Sequence, residues 1–480
     1  MSIHTESIST FINDRWDETI VPALCDYVRI PNKSPMFDPD WEANGHMRKA
    51  VELLDAWCES SQVAGLSREI VSLPGRTPVL FCEIPATANC ENTVLLYGHY
   101  DKQPEFSGWE EGLSPWEPVL RDGKLYGRGG ADDGYALFGS LTAIAALQSQ
   151  GVPHGRCVVL IEGCEESGSF DLPFYVDALA ERIGRPDLVV CLDAECGNYD
   201  QLWITTSLRG MLPGTLNVEV LTEGQHSGAA GGIVPSSFRI LRQLFDRVEN
   251  SQSGELHPAL HVDIPASAQK QLQHVAQVLG PTVVDRFPWS EHTRPELDDT
   301  IELLLNNAWR PSLATVGFSG APEVGDAGNT LRPNTSAKLV FRLPPTLDAS
   351  EAAETIKSVL EDNPPHQASV NFELEHPQTG WCAPEFAPWL EQSMADASLQ
   401  FFGKPAMYMG MGGTIPFMKM LGDAYPDVQF MVTGVLGPKS NAHGPNEFLE
   451  IATGKRITCC VARVLADHAA DAEKQSAKIG

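Results

Sequence analysis

Several apolar runs in this chain each stop on an acid or a histidine, and that recurrence limits how it can fold. Leu95-Leu96-Tyr97-Gly98 ends on His99-Tyr100-Asp101, Val158-Val159-Leu160-Ile161 leads to Glu165-Glu166, and Leu188-Val189-Val190-Cys191-Leu192 ends on Asp193. Between the first two lies the turn Gly127-Arg128-Gly129-Gly130-Ala131-Asp132-Asp133-Gly134. Short apolar runs broken by turns and helical patterns read as buried strands of an α/β sheet. Ligands of such sheets bind at the carboxyl ends of the strands, so these acids and the histidine are expected to share one site. Converging carboxylates need cations: two unit charges about 4 Å apart interact at roughly 4 kcal/mol when the effective dielectric is near 20. Mixed imidazole and carboxylate donors suit zinc or a neighbouring first-row metal.

The length of 480 residues predicts two domains. With 42% apolar and 20% charged residues, the chain has the composition of a globular protein rather than a disordered one. A net charge of −29 argues against a nucleic-acid or anionic-membrane partner, since both call for a basic face. Met1 to Glu6 show no basic segment followed by an apolar one, and no run approaches the roughly 18 apolar residues of a spanning helix. No signal peptide or membrane span is therefore expected. The 11 cysteines are scattered without a repeated Cys-x-x-Cys pair, which predicts reduced thiols and a cytoplasmic location. Cys164 has acidic neighbours that would raise its pKa and make it a poor nucleophile. Cys459-Cys460 reads as helix packing.

Residues 10–205 alternate between helical and strand patterns, with Leu137, Leu141, Ile144 and Leu147 at helical spacing after the Asp132-Asp133 turn. Beyond Leu208-Arg209-Gly210 the pattern changes. Leu216 to Val220 alternates like a half-buried strand, Gly224 to Gly232 is glycine-rich, and Pro235 opens a helix bearing Ile240, Leu241, Leu244, Phe245 and Val248 on one face. Further strands are expected at 337–343 and 369–374, with a helix at 350–360 between them. After Pro384 the α/β style returns, with helices expected at 388–402 and 453–470. This predicts an α/β catalytic domain with a mixed, largely parallel sheet and helices on both faces, built from 1–207 and 381–480. An inserted α+β domain, 208–380, interrupts it. The stretch 255–330 has little periodicity.

His99-x-Asp101 at a strand end fits a metal ligand and its orienting carboxylate. Asp132 suits a carboxylate between two metals, while Asp133 reads as closer to a helix N-cap. The glycines around them do not make a phosphate loop, because no Gly-Lys-Ser/Thr follows. In the pair Glu165-Glu166, one carboxylate can bind metal while the other accepts a proton from water. Asp193 gains its meaning from the adjacent strand end. His443, in Ser440-Asn441-Ala442-His443-Gly444-Pro445-Asn446-Glu447, supplies a second imidazole. His226 suits polarisation of a carbonyl or an oxyanion.

Taken in order, these motifs resemble the dinuclear zinc peptidase and deacylase family, which includes carnosinase-type dipeptidases, glutamate carboxypeptidase, acetylornithine deacetylase and aminoacylases. The resemblance extends through Gln225-His226-Ser227-Gly228, Phe341-Arg342-Leu343-Pro344 and Gly412-Gly413-Thr414-Ile415-Pro416, and is nearest to the dipeptidase branch. It implies two divalent ions per chain, zinc with manganese or cobalt as alternatives. His99, Asp132 and Asp193 would hold one ion, and Asp132, Glu166 and His443 the other. Glu165 would be the general base, and Asp101 would orient His99. Arg342, Asn329, Thr330 and Thr414 would meet the substrate, and His226 would reach the site of a partner chain in a homodimer formed through the inserted domain. It also implies a cis peptide between Asp132 and Asp133. Two positions depart from the family pattern: Gly134 stands where a lysine is usual, and Met411 where an acid often precedes Gly-Gly-Ser/Thr. The expected reaction is hydrolysis of a dipeptide or small amino-acid conjugate. An N-acyl amino acid deacylase or carboxypeptidase is the alternative, and a non-catalytic metal-binding module the remote one.

Overall fold

The computed structural model describes residues 4–89 and 92–479. Its largest sheet has six strands in the order Ser67–Val71, Val79–Ile84, Arg156–Glu162, Thr93–His99, Leu188–Cys191, Gln429–Val432. Val79–Ile84 runs against both of its neighbours, and the remaining pairs are parallel. Val94 and Leu96 face a core shared with the helices Ala136–Ser149 and Ile451–Ile479. Leu95 and Tyr97 face the opposite core, with Trp203, Phe417 and Phe430. Both faces are covered, which is why the strands read as unbroken apolar runs rather than as alternating ones. The final helix begins earlier and ends later than its sequence pattern predicts.

A second sheet is antiparallel, in the order Ser312–Ser319, Asn334–Leu343, Gly210–Glu219, Ser369–Leu374. The helices Ser237–Val248 and Ala349–Glu361 cover one face through Leu241, Leu244 and Ile356. Ser236, not Pro235, caps the first of these by accepting from Arg239 N–H, and Asp348 caps the second. A smaller ladder joins the two parts. Trp203–Leu208 pairs antiparallel with Trp381–Cys382 and parallel with Met407–Met411, and Leu208 lies opposite Trp381. The stretch without periodicity holds the helices Ala266–Leu279 and Thr300–Ala308. They stand outside the core of the antiparallel sheet. Leu272, Leu305 and Trp309 cluster together, while Val275 and Leu279 reach the core of the large sheet.

Candidate metal centre

The three central strands end side by side, with His99 opposite Glu162 and Tyr97 opposite Cys191. The residues just beyond therefore gather at one sheet edge. His99 Nε2 lies 3.2 Å from Asp132 Oδ1 and 3.7 Å from Asp193 Oδ1. On the other side of Asp132, His443 Nε2 lies 3.0 Å from Oδ2 and 3.2 Å from Glu166 Oε2. One carboxylate thus sits between two imidazoles that are more than three hundred residues apart in sequence. Asp101 holds the second nitrogen of His99, with its backbone carbonyl oxygen 3.1 Å and its carboxylate Oδ1 3.3 Å from Nδ1. The same carboxylate accepts backbone N–H groups of Glu165 at 3.1 Å and Glu166 at 3.0 Å, so it fixes the imidazole and the acidic turn together.

His99, Asp133 and Asp193 each bring a ligand atom within 4.8 Å of the others, and so do Asp132, Glu166 and His443. The Asp132–Asp133 peptide is cis. Asp133 does not cap the following helix, whose N-cap is Tyr135. It turns inward, its Oδ2 accepting the His99 N–H at 3.3 Å, while its buried Oδ1 has no partner among the described residues. Gly134 explains itself sterically: a Cβ there would stand 2.4 Å from the Tyr27 ring and 2.5 Å from the Gly129 carbonyl oxygen.

This crowding of acids sets the electrostatics. Burial pushes Asp193 up to about 6. Burial and the Asp193 charge drive Glu165 well above the usual carboxylate range. Asp132 goes the other way, because its bonds to His443 and His99 outweigh the cost of burial. Burial opposes charge on both imidazoles, but Asp193 raises His99 and Glu166 raises His443. Every one of these trends expresses a demand for positive charge, and the oxygen-plus-imidazole donor set fits zinc or another first-row divalent ion. Cys164 is raised by burial and by Asp101, in line with an inert thiol.

Several contributors carried no signal in the sequence. Gln103 Nε2 donates to Glu166 Oε2 at 2.5 Å. Arg128 and Glu447, 1% and 0% exposed at their side chains, pair at 2.6 Å. Arg128 also donates to the Gly444 carbonyl, and Glu447 accepts from Gly129 N–H, which ties the His443 loop to the Asp132 turn. Glu447 belongs to the His443 loop, but only its burial reveals the pairing.

The remaining expected residues fall into two groups. Arg342 Nη1 donates to Thr414 Oγ1 at 3.2 Å, and that hydroxyl donates to the Arg209 carbonyl at 2.6 Å. His226, Asn329 and Thr330 instead meet at an exposed two-stranded ladder between distant segments, His226 opposite Thr330 and Ser227 N–H donating to the Asn329 carbonyl. Among the described residues, no hydrogen bond or ion pair joins this ladder to the metal cluster.

The pattern of peptidase family M20/M25/M40 matches residues 95–467, which takes in every residue of the cluster. The chain belongs to this peptidase family. A cysteinylglycine-S-conjugate dipeptidase of Corynebacterium striatum is 27% identical over 75% of this chain and 77% of its own. The human Beta-Ala-His dipeptidase is 27% identical over 72% of this chain and 68% of its own. Among solved structures, the dipeptidase Dug1p of Saccharomyces cerevisiae superposes with a TM-score of 0.80 at 21% identity, covering 98% of this chain and 99% of that one. These likenesses fix the fold as that of an M20 peptidase and make the chain a hydrolase of a divalent-metal family.

Proposed function

We propose that this peptidase hydrolyses the amide bond of dipeptides or similar small amino-acid conjugates at a two-ion centre. The observation that carries this reading is Asp132, with one oxygen 3.2 Å from His99 Nε2 and the other 3.0 Å from His443 Nε2. His99, Asp132 and Asp193 would hold one ion, and Asp132, Glu166 and His443 the second; zinc fits best, with manganese or cobalt as substitutes. When bound, the ions supply the charge that lets water lose a proton near neutral pH and that polarises a carbonyl. Glu165 would take that proton and pass it to the leaving amine, and its raised proton affinity suits the second step. Asp101 keeps His99 oriented. Arg342, with Thr414, receives the substrate carboxylate.

His226, Asn329 and Thr330 would act at the site of a second copy. The free edge strand Ser312–Ser319 supports such a dimer: Val316 and Phe318 are 59% and 53% exposed there. The catalytic domain is assigned to 1–207 and 381–480, and the inserted domain to 208–380. Among the described residues no two cysteines are joined by a disulfide, which fits the cytoplasm. No described helix is long and apolar enough to cross a membrane.

One feature favours the deacylase or carboxypeptidase alternative. Met411 is 6% exposed and accepts from Thr205 Oγ1 through its sulfur, so this position offers no acid to hold a substrate amine. Turnover of matched dipeptides with free and N-acetylated amino termini, on protein reloaded with zinc, separates the readings. Preference for the free series is expected; preference for the blocked series would reverse the assignment. Fewer than one metal per chain after reloading would sink the two-ion centre.

A further inference from the structure

A cavity of about 390 Å³ opens between the helices Ala266–Leu279 and Thr300–Ala308 and the strand Met407–Met411. No residue of the metal cluster lines it. Its size falls among small-molecule pockets, which run from about 300 to 1,000 Å³. Leu272, Val275, Leu279 and Leu304 make its walls apolar, and Arg209 lines it as well. Arg209 is 6% exposed. Its Nε donates to the Gly412 carbonyl, and its Nη1 to the carbonyls of Asn306 and Arg310 and to Ser312 Oγ. All of these acceptors are uncharged, and Nη2 has no hydrogen bond among the described residues. Gly412 leaves space beside it, since a Cβ at that position would come within 3.1 Å of Nη2. The other arginine of the cavity, Arg286, already faces Glu195 at 3.5 Å.

A buried cation is costly unless an anion compensates it, and among the described residues no carboxylate pairs with Arg209, although Glu296 also lines the cavity. We infer that this cavity is a second ligand site, which takes a small carboxylate with an apolar body and seats the carboxylate on Arg209. The charge selects an anion; the leucines and the valine select one with a hydrocarbon body rather than a free phosphate or a polar acid. The site is distinct from the proposed substrate clasp of Arg342 and Thr414, although Arg209 reaches that clasp through its own carbonyl.

Calorimetry on the full-length, metal-loaded protein tests this, with 4-phenylbutyrate as the probe and 4-phenylbutan-1-ol as its uncharged match. One saturable site per chain is expected for the acid, with the alcohol weaker by about tenfold or more, as for loss of a charge-assisted hydrogen bond. Leu272→Trp fills the cavity and should abolish binding of both probes; Leu304→Trp is the substitute if circular dichroism shows the first variant misfolded. Arg342→Ala should leave binding in place. The assignment is overturned by absence of saturable binding at millimolar acid, or by an alcohol that binds as tightly. Binding lost in Arg342→Ala but kept in Leu272→Trp would also overturn it, because the probe would then occupy the substrate site.

Discussion

Gly98→Ala tests how the main sheet controls the metal centre. Gly98 lies one residue before His99, in a strand hydrogen-bonded to a parallel neighbour on each side. A methyl group there would stand 2.4 Å from Ala136 Cβ and 2.6 Å from Asp133 Oδ2, where ordinary contacts begin at 3.4 Å. The strand cannot retreat without breaking a ladder, and Ala136 sits at the start of a helix buried on all sides. Overpacking of a tight core costs about 1–3 kcal/mol, and two overlaps of this size put the substitution at the upper end, near 3 kcal/mol. The two contacts have different consequences. The first is purely steric, whereas the second displaces the carboxylate next to Asp132 and should lower metal content. Ala136→Gly in the same chain removes the first contact at a helix cost of roughly 1 kcal/mol. The double variant should therefore regain part of the stability and none of the metal. Urea unfolding and metal analysis after dialysis against zinc read the two effects separately. A single variant within about 0.5 kcal/mol of wild type and fully metallated would refute the reasoning, and so would a double variant that recovers its metal.

Glu165→Gln should keep both ions yet lose about 10²–10⁴-fold in kcat, and near-normal turnover would remove Glu165 as the base. Glu162, 1% exposed with Tyr97 and Ser169 hydroxyls on Oε1, is pushed to about 8 by burial and then by Asp101. Its folded-state pKa is raised above the unfolded value, so its carboxyl favours folding at low pH and opposes it increasingly as pH rises from about 4.5 to about 8. Glu162→Gln should thus gain on wild type by roughly 3 kcal/mol between about pH 5.5 and 8, and parallel stability curves would contradict this. Phe318→Arg, on the exposed edge, should yield monomers in light scattering if that edge joins two copies; an unchanged mass would place any interface elsewhere. Mixing inactive His226→Ala and Glu165→Gln chains should restore part of the activity if His226 serves a neighbour, and no recovery after proven subunit exchange would confine it to its own chain.

The strands and the cluster were legible because burial on both faces and ligand chemistry leave residue-level marks. An apolar run that stops on His99 or Asp193 says where a strand ends and what it delivers. Asp133 was misread, since an aspartate before a helix resembles a cap in sequence whether or not it turns inward. The Arg128–Glu447 tie, Gln103 and the Arg209 cavity left no trace, because each depends on contacts between distant segments. The helices within 255–330 were missed for a related reason. Ala268, Leu272, Val275 and Leu279 do recur at helical spacing, but the face they bury is narrow and is divided between two cores, so the pattern is easily passed over.

Leu208 and Trp381, which lie at the two proposed borders of the insertion, are paired neighbours in one small ladder. The insertion is topologically a guest, entering and leaving by a single doorway. Its length makes little difference to the host, because the entropy of closing a loop grows only slowly with the residues inside it. The middle stretch can therefore carry helices of its own while the metal-bearing strand ends keep their register. Any swing of the guest would turn about those two adjacent backbones and would also part Val275 and Leu279 from the core of the large sheet, so Arg342 and the exposed ladder would travel as one body only once that packing opens.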